Sequence, residues 1–427
     1  MRPFFQVRTV DEVHALAGEV APAAVEEVPL LAAADRTLAE DLRAPHDLPG
    51  FTRATMDGYA VRGRDTFGAS ETSPGYLELV GEVPMGRAPE VSLGPGQCAA
   101  INTGGMLPDG ADAVLMVEHT RLVDQDSVEV AKSVAPGTNL LGASDDAAQG
   151  EVLIAAGRRL RPQDVGLMAA LGMEQVKVRT APRVGIISTG DEVVPISAAP
   201  GPGQVRDVNT YTLAALAAEA GAEPVILGLV GDDRQKLRRA VERSLADCRL
   251  TLLSGGSSVG QRDHTAEVFM SQPGAELLVH GVAVSPGKPF IWVSAESGHL
   301  LGLPGQVASC VVSFYLLVEP IIERLLGRPA RPFSRFGRLK GRLAQNLPSA
   351  PGREEYHRVR VVPGGDAPQV QPVFGKSGLI RTLTQGHGLV RVPRDSEGLE
   401  AGQDVTVLLF PLENIDEADR LPGDATA

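Results

Sequence analysis

The sequence predicts a multidomain protein of the α/β plus β class, and three observations carry this prediction. From residue 182, strand-like apolar runs alternate with helical patterns, which is typical of a parallel or mostly parallel sheet covered on both faces. Residues 51–145 and 334–412 instead consist of short strand-like runs between glycine and proline turns. The length of 427 residues agrees with several domains rather than one core.

The α/β region is predicted to span residues 182–328. Its helices and strands follow from the lengths and spacing of the apolar runs. The predicted strands are 184–188, 225–230, 250–254, 277–282 and 299–303. The predicted helices are 208–220, 234–246, 265–271 and 307–326.

The first 181 residues are predicted to form one discontinuous domain, residues 1–50 and 146–181, with a β domain of residues 51–145 inserted into it. Helical spacing predicts helices from Thr9, around residues 30–42, and at 162–171. A linker at 327–332 leads to a last β module, 334–412, and a polar tail, 413–427. The strands expected in the two β regions are 76–79, 97–101, 113–117, 127–130, 359–362, 389–392 and 405–409.

Composition excludes several classes of function. The net charge is −13 without any basic block, so we expect no nucleic-acid partner. The three cysteines are far apart, which excludes a disulfide framework and favours a reducing, cytoplasmic location. The longest apolar stretch, residues 307–318, is too short to cross a membrane, and the first residues lack a signal core.

Two acidic loops follow predicted strands of the α/β region, where ligands bind in such sheets. Ser188-Thr189-Gly190-Asp191-Glu192 can present hydroxyls to an anion and carboxylates to a divalent cation, or can simply be a turn that caps a helix. Gly231-Asp232-Asp233 comes after the next strand. Its simplest interpretation is that Asp232 is a helix N-cap.

Two further loops have the composition of phosphate sites. Ser254-Gly255-Gly256-Ser257-Ser258-Val259-Gly260 is rich in glycine and serine, ends near Asp263, and lacks the lysine of a P-loop. Pro286-Gly287-Lys288-Pro289 fixes a lysine between two prolines. A glycine-rich loop is weak evidence by itself, and a solvated surface lysine is the alternative for Lys288. Together the four loops suit Mg²⁺ bridging a phosphoanhydride, whereas the histidines lack zinc spacing.

Two motifs of the β domain could be ordinary turns or functional loops, and the residues alone do not decide between these interpretations. The first is Met56-Asp57-Gly58-Tyr59-Ala60. The second begins at Thr103-Gly104-Gly105 and continues through Asp112.

Taken with their order along the chain, these motifs resemble those of the molybdopterin molybdenumtransferases, a family related to the C-terminal domain of gephyrin. The resemblance covers nearly the whole chain. The blocks that carry it are Met56-Asp57-Gly58-Tyr59-Ala60-Val61, Thr103-Gly104 to Glu118, Ser188 to Glu192, Asp207-Val208-Asn209, Asp232-Asp233, Ser254-Gly255-Gly256 to Asp263, Pro286-Gly287-Lys288-Pro289 and Leu303-Pro304-Gly305.

The resemblance implies a homodimer with four domains per subunit, including a three-layer α/β pterin-binding domain and a C-terminal β barrel-like module. It implies insertion of molybdate into adenylyl-molybdopterin with release of AMP, assisted by Mg²⁺. A molybdopterin adenylyltransferase and cofactor-accepting enzymes are the implied protein partners. Sulfur ligands for molybdenum would come from the dithiolene itself, so no cysteine cluster is needed.

Site residues also follow from the resemblance. It implies that Asp57, Thr103 and Asp146 line the cleft from the β domain, and that Arg353 and Ser377 complete it from the last module, within the subunit or across the dimer. The implied catalytic residues are Asp57, Asp146, Glu192, Asp263 and Lys288. The implied metal ligands are Glu192, Asp232 and Asp263. The implied substrate-binding residues are Thr103, Ser188, Thr189, Gly190, Ser254, Gly255, Gly256, Ser257, Pro304, Arg353 and Ser377.

The chain departs from the family pattern at three places. Ser285 stands where the family usually has lysine, Leu141 where it has arginine, and Gln306-Val307 where it has Asn-Pro. Two of these changes remove positive charge, and a charge-assisted contact is worth roughly 1.5–3 kcal/mol. We therefore expect weaker anion binding unless a neighbouring residue compensates.

Three alternatives to an active transferase remain open from the sequence. The departures favour a diverged pterin-binding paralogue that inserts metal poorly or handles tungstate. A non-enzymatic scaffold would bind partners tightly without cation-dependent turnover. An adenylyltransferase is the third, and the Met56–Val61 block and the last β module argue against it.

Overall fold

A computed structural model describes residues 7–255 and 264–411. Three residues of the predicted site, Gly256, Ser257 and Asp263, lie outside the described residues, as does the predicted tail.

The α/β domain is built on a six-stranded sheet. Four neighbouring strands are parallel, and Ile291–Ala295 runs antiparallel to both of its neighbours. The strand order is Glu223–Val230, Arg183–Thr189, Leu250–Ser254, Gly298–Leu303, Ile291–Ala295 and Glu276–His280. The helices are Asn209–Glu219, Arg234–Asp247, His264–Met270, Val307–Ser313 and Glu319–Leu325.

Helices cover both faces of this sheet, so the predicted three-layer arrangement is confirmed. Successive side chains of a strand point to opposite faces, and Ile186 and Ile187 accordingly belong to two different cores. The Ile186 core contains Leu213 from one helix, whereas the Ile187 core contains Val241 from another. Because both faces are covered, Arg183–Thr189 is buried from its second residue to its last.

Two details of the α/β region differ from prediction. The strand Ile291–Ala295 was missed because only two residues separate it from Gly298–Leu303, in a hairpin rather than a strand–helix repeat. The predicted helix 307–326 is interrupted by a π turn, Phe314–Val318. Pro320 accounts for the interruption, since it has no N–H to donate to the carbonyl of Leu316. The His14 ring nitrogen lies 2.8 Å from that carbonyl oxygen instead.

The N-terminal segment begins with the predicted helix, Val10–Gly18. Thr9 and Glu12 form a capping box, in which the Thr9 N–H donates to Glu12 at 2.6 Å. The buried face, which includes Val13, packs into the core of the α/β domain.

The prediction of a second helix at residues 30–42 was wrong. A strand, Val25–Pro29, is followed by a single 3₁₀ turn, Leu30–Ala33. Asp35 then adopts a left-handed φ of 64°, which ends any helical continuation. The strand pairs with Gln175–Arg179, after the helix Pro162–Ala170, so the two halves of the discontinuous region are joined.

The inserted domain is a six-stranded, mostly antiparallel sheet, as predicted for an all-β unit. Two short pairings near its ends join Arg53–Ala54 to Leu140–Leu141 and Leu42–Arg43 to Val152–Ile154. The strand order of the sheet is Ala113–Met116, Gly58–Val61, Gln97–Ile101, Gly75–Glu82, Ser127–Val130 and Thr120–Leu122.

The C-terminal module is a closed five-stranded barrel, which confirms the predicted barrel-like fold. Closure comes from the pairing of Glu354–Val362 with Gly388–Val392. Val284–Ser285 of the α/β domain adds to the edge of Glu354–Val362 and joins the two domains. The barrel strands are Gly337–Leu343, Glu354–Val362, Gln369–Pro372, Gly388–Val392 and Asp404–Leu409, with a short helix, Arg381–Thr384, beside them.

A buried ionic cluster fixes the junction of these two domains. Arg335 donates to Glu319 at 2.7 Å and lies 2.5 Å from Glu219, while Arg328 lies 2.8 Å from Glu323. Burial raises the pKa of Glu319 to about 7. Among the described residues, no helix is long and apolar enough to span a membrane.

Candidate functional site

A cleft of about 1290 Å³ opens at the carboxyl ends of the parallel strands. Its walls come from the loops after four of these strands, and from the C-terminal module. Eight of the predicted site residues line it, namely Ser188, Thr189, Gly190, Glu192, Asp232, Ser254, Gly255 and Pro304.

The floor of the cleft is a buried hydroxyl–carboxylate network. Ser188 and Ser254 are paired in register on adjacent parallel strands, so their side chains point the same way and their Oγ atoms lie 2.9 Å apart. The Ser188 hydroxyl donates to Asp207 at 2.9 Å, and the Thr210 N–H donates to the same carboxylate oxygen at 3.1 Å. Only 7% of Asp207 is exposed. The network therefore holds these hydroxyls in place before any ligand arrives.

Asp232 faces the cleft, and its predicted role as a helix N-cap was wrong. The Thr189 hydroxyl donates to Asp232 at 3.0 Å, and the Asp232 N–H donates to Asp191 at 3.0 Å. The N-cap of Arg234–Asp247 is Asp233, which accepts from the N–H groups of Gln235 and Lys236. These N–H groups, that of Lys236 foremost, lower the pKa of Asp233. Because Asp233 satisfies the helix terminus, Asp232 is available to a ligand.

Gly255 allows two loops of the cleft to approach closely. Its φ is +97°, a conformation that disfavours side chains, and a Cβ there would lie 2.2 Å from the Thr189 carbonyl oxygen. The predicted glycine-rich loop therefore begins with a glycine that this geometry requires. The rest of that loop, including Gly256, Ser257 and Asp263, lies outside the described residues.

The C-terminal module of the same chain contributes to the cleft. Gly378 and Ile380 line it, next to Gln306 and Val307 of the α/β domain. Ser377 accepts from the Ala308 N–H at 2.9 Å through its carbonyl and donates to the Gln306 side chain through its hydroxyl. Ser377 was predicted to complete the cleft either within its own subunit or across the dimer. The contact seen here lies within one subunit.

Asp57, Thr103 and Asp146 lie outside the described cleft lining. Asp57 accepts from the N–H and hydroxyl of Thr103 at 2.6 and 2.8 Å, and these bonds lower its pKa. Asp146 is exposed, and its N–H donates to the carbonyl of Leu48.

Arg353 and Lys288 are not part of the described cleft lining. Arg353 lies 2.6 Å from Glu355, on the strand that pairs with Val284–Ser285. Lys288 is exposed, and the next residue, Pro289, lines the cleft.

Several cleft residues were absent from the predicted site, namely Gln204, Arg206, Asp207 and Asn209. Asp207-Val208-Asn209 is one of the motifs that carry the family resemblance, but the resemblance implies no role for it. The signal was present in the sequence, since Asp207 lies just before the helix Asn209–Glu219 and can bond its first turn. Asn209 Nδ2 donates to the Gly305 carbonyl at 2.8 Å and so joins two walls.

The donor set in the cleft fits a hard cation. Glu192, Asp232 and Thr189 offer oxygen atoms, the type of ligand that Mg²⁺ prefers. Among the described residues, no group of three or more histidine, cysteine, aspartate or glutamate side chains could hold a metal. Two carboxylates are nevertheless a usual protein contribution to Mg²⁺, which takes its other ligands from phosphate and water.

Three family models match the chain in succession. The MoeA N-terminal region (domain I and II) matches residues 8–172, a probable molybdopterin binding domain matches 185–324, and the MoeA C-terminal region (domain IV) matches 340–410. Together they cover most of the chain, and the middle model contains nearly all of the cleft loops.

Individual relatives agree with these models over nearly their full lengths. A molybdopterin molybdenumtransferase of a Nostoc species is 33% identical over 402 residues, 91% of this chain and 89% of the relative. The molybdopterin molybdenumtransferase of Bacillus subtilis is 33% identical, with coverages of 89% and 88%. The crystal structure of a molybdopterin biosynthesis MoeA protein from Pyrococcus horikoshii is 30% identical, covers 95% of this chain and 100% of that chain, and has a TM-score of 0.81.

Proposed function

This chain belongs to the family of molybdopterin molybdenumtransferases, and we infer that it is a transferase which inserts molybdate during molybdenum cofactor biosynthesis. We propose that the substrate is adenylyl-molybdopterin and that AMP is released. We assign this reaction to the cleft because hydroxyls and carboxylates at the ends of several strands line it together. Its volume of about 1290 Å³ lies above the roughly 300–1,000 Å³ of ordinary ligand pockets, so a pterin nucleotide can be accommodated.

Glu192 and Asp232 are proposed to hold Mg²⁺, together with Asp263. When bound, the cation would offset negative charge that develops as the phosphoanhydride bond is cleaved. The Thr189 hydroxyl orients Asp232 by donating to one of its oxygens. Its other oxygen can then face the ligand.

The remaining cleft residues are proposed to bind and orient the substrate. The Ser188 and Ser254 hydroxyls, already bonded to Asp207 and to each other, are proposed to fix the two strand-end loops that contact the substrate, and the bend at Gly255 keeps these loops close together. Lys288, beside the lining residue Pro289, is proposed to hold a phosphate of the substrate through its positive charge. Pro304 is proposed to shape the pterin pocket.

We further propose a cytoplasmic homodimer. The three cysteines are unpaired and buried in the described structure, which supports a reducing compartment. Asp57, Thr103 and Asp146 are exposed and lie outside the cleft lining of their own chain. Their proposed roles therefore depend on the surface of a second subunit. A molybdopterin adenylyltransferase and cofactor-accepting enzymes are the proposed transient partners.

A direct experiment is to follow AMP release from adenylyl-molybdopterin with molybdate, with and without Mg²⁺. The proposal expects release that requires both molybdate and the cation. Sulfate in place of molybdate is the control for a non-specific anion effect. Pterin binding without AMP release under any condition would contradict the proposed reaction.

One observation favours a second candidate, a pterin-binding paralogue with weak metal insertion. Arg206 is the only lysine or arginine in the cleft lining that the structure describes. Ser285 and Leu141 occupy positions where the family usually has basic residues. A molybdate KM far above that of the relatives, with normal pterin affinity, would favour this candidate.

A further inference from the structure

The C-terminal module reaches the cleft through one loop, residues 373–380. Its first part is bound to the barrel, since the Val373 N–H donates to the Arg358 carbonyl at 2.8 Å and Arg358 donates to the Gly375 carbonyl at 2.7 Å. Its last part leads into the helix Arg381–Thr384. The middle of the loop, at Ser377, makes the contact with the α/β domain.

This contact replaces an ordinary helix cap. Gln306 occupies the N-cap position of Val307–Ser313, and in the described structure its side chain makes no bond to that helix. The Ala308 N–H, one of the unsatisfied donors at the helix start, donates to the Ser377 carbonyl at 2.9 Å instead. The Gln306 side chain is thereby left to accept from the Ser377 hydroxyl.

The loop held in this way forms part of the cleft wall. Gly378 and Ile380 line the cleft directly after Ser377, although about half of the Ile380 side chain stays exposed. The apolar Leu379 and Phe374 are also exposed, so the loop has little burial of its own to fix it. The two bonds at Ser377 attach the middle of the loop to the α/β domain.

We propose that Gln306 is a positioning residue that holds loop 373–380 against the cleft and so retains the bound pterin nucleotide. The identity of the ligand rests on the proposed function, whereas the positioning itself does not. Gln306 would act through Ser377 and not on the reacting atoms. Its loss is therefore expected to affect ligand retention more than the chemical step.

The kinetic test uses the full-length protein, with AMP release and the rate of pterin nucleotide dissociation as readouts. Losing one hydrogen bond predicts that Gln306→Ala raises KM and the dissociation rate by about two- to tenfold, with kcat nearly unchanged. Gln371→Ala, on the exposed surface of the barrel, is the matched control and should change neither. An unchanged KM, or a loss confined to kcat, would overturn the proposal.

A double-mutant cycle tests whether Gln306 acts through Ser377. If the two side chains form one interaction, Ser377→Ala should raise KM as Gln306→Ala does, and the double variant should be no worse than either single variant. Fully additive effects would show that Gln306 acts elsewhere and would contradict the proposal.

Hydrogen exchange of the ligand-free protein tests the positioning independently of the reaction. Gln306→Ala should speed exchange in loop 373–380 and at the Ala308 amide, while Gln371→Ala leaves both unchanged. Unchanged exchange would overturn the proposal even if the enzyme is active. Faster exchange in a protein that releases no AMP would support the positioning role and reject only the proposed reaction.

Discussion

The cleft of the α/β domain and the Asp57–Thr103 pair of the inserted domain both join a carboxylate to a hydroxyl, yet they differ in setting. In the cleft, Ser188 donates to Asp207 within a buried network whose two serines end adjacent strands. In the inserted domain, Thr103 donates to Asp57 on an exposed loop. Parallel topology brings successive loops to one edge and builds a site, whereas an isolated loop pair needs another surface to complete it.

The largest expected effect comes from Gly255→Ala. Its Cβ would lie 2.2 Å from the Thr189 carbonyl, so the loops of the cleft must move apart. A displacement of about 1 Å can cost about 100-fold in rate, and we expect a loss of AMP release on that order.

Gly172→Ala is the matched control for this substitution. Its φ of +76° is also left-handed, but a Cβ there meets nothing within 4 Å. It should cost roughly 1–2 kcal/mol of stability and leave the rate unchanged. Equal rates for both variants would show that the close approach at Gly255 is unimportant.

Asp207→Ala tests the buried half of the comparison. It leaves the Ser188 hydroxyl and the Thr210 N–H without their carboxylate, and we expect a loss of about 1–3 kcal/mol in the free energy of unfolding. Urea denaturation measures it. Asp57→Ala, on the exposed loop, should shift the midpoint far less, and the comparison fails if the two variants lose equal stability.

Thr103→Val gives the smallest effect and tests the exposed half. The N–H and hydroxyl of Thr103 lower the pKa of Asp57, so removing the hydroxyl should raise that pKa. A carboxyl with a lowered pKa stabilises the fold above its unfolded pKa, and this contribution is lost as pH falls through the folded pKa. The variant should lose it at a higher pH, and NMR titration of Asp57 that shows no upward shift would exclude the hydroxyl as a cause.

Much of the cleft could be predicted because its parts are local in sequence. Each loop follows a strand that has a clear apolar pattern, and Ser188 and Ser254 end two such strands. The choice between Asp232 and Asp233 as the helix cap could not be made, because both are adjacent acids able to fill that position. Only the bonds from Gln235 and Lys236 to Asp233 distinguish them.

Other features depend on contacts between distant parts of the chain. Gln306 and Ser377 are 71 residues apart, and neither lies in a pattern that indicates the other. The strand Ile291–Ala295 joins its neighbour through a hairpin. It was not predicted because the surrounding region alternates strands with helices. Val25–Pro29 became a strand because Gln175–Arg179 pairs with it, and local helical spacing gave no sign of that partner.

We propose that the cleft carboxylates hold the cation used in the reaction, and two neighbouring aspartates allow this claim to be tested. Asp232→Asn removes a charge that faces the cleft, whereas Asp233→Asn keeps a residue that caps helices well. The measurement is AMP release as a function of Mg²⁺ concentration for both variants and the wild type. We predict that Asp232→Asn weakens the apparent affinity for Mg²⁺ by at least about tenfold and that Asp233→Asn matches the wild type. Identical Mg²⁺ dependence in all three proteins would contradict the claim.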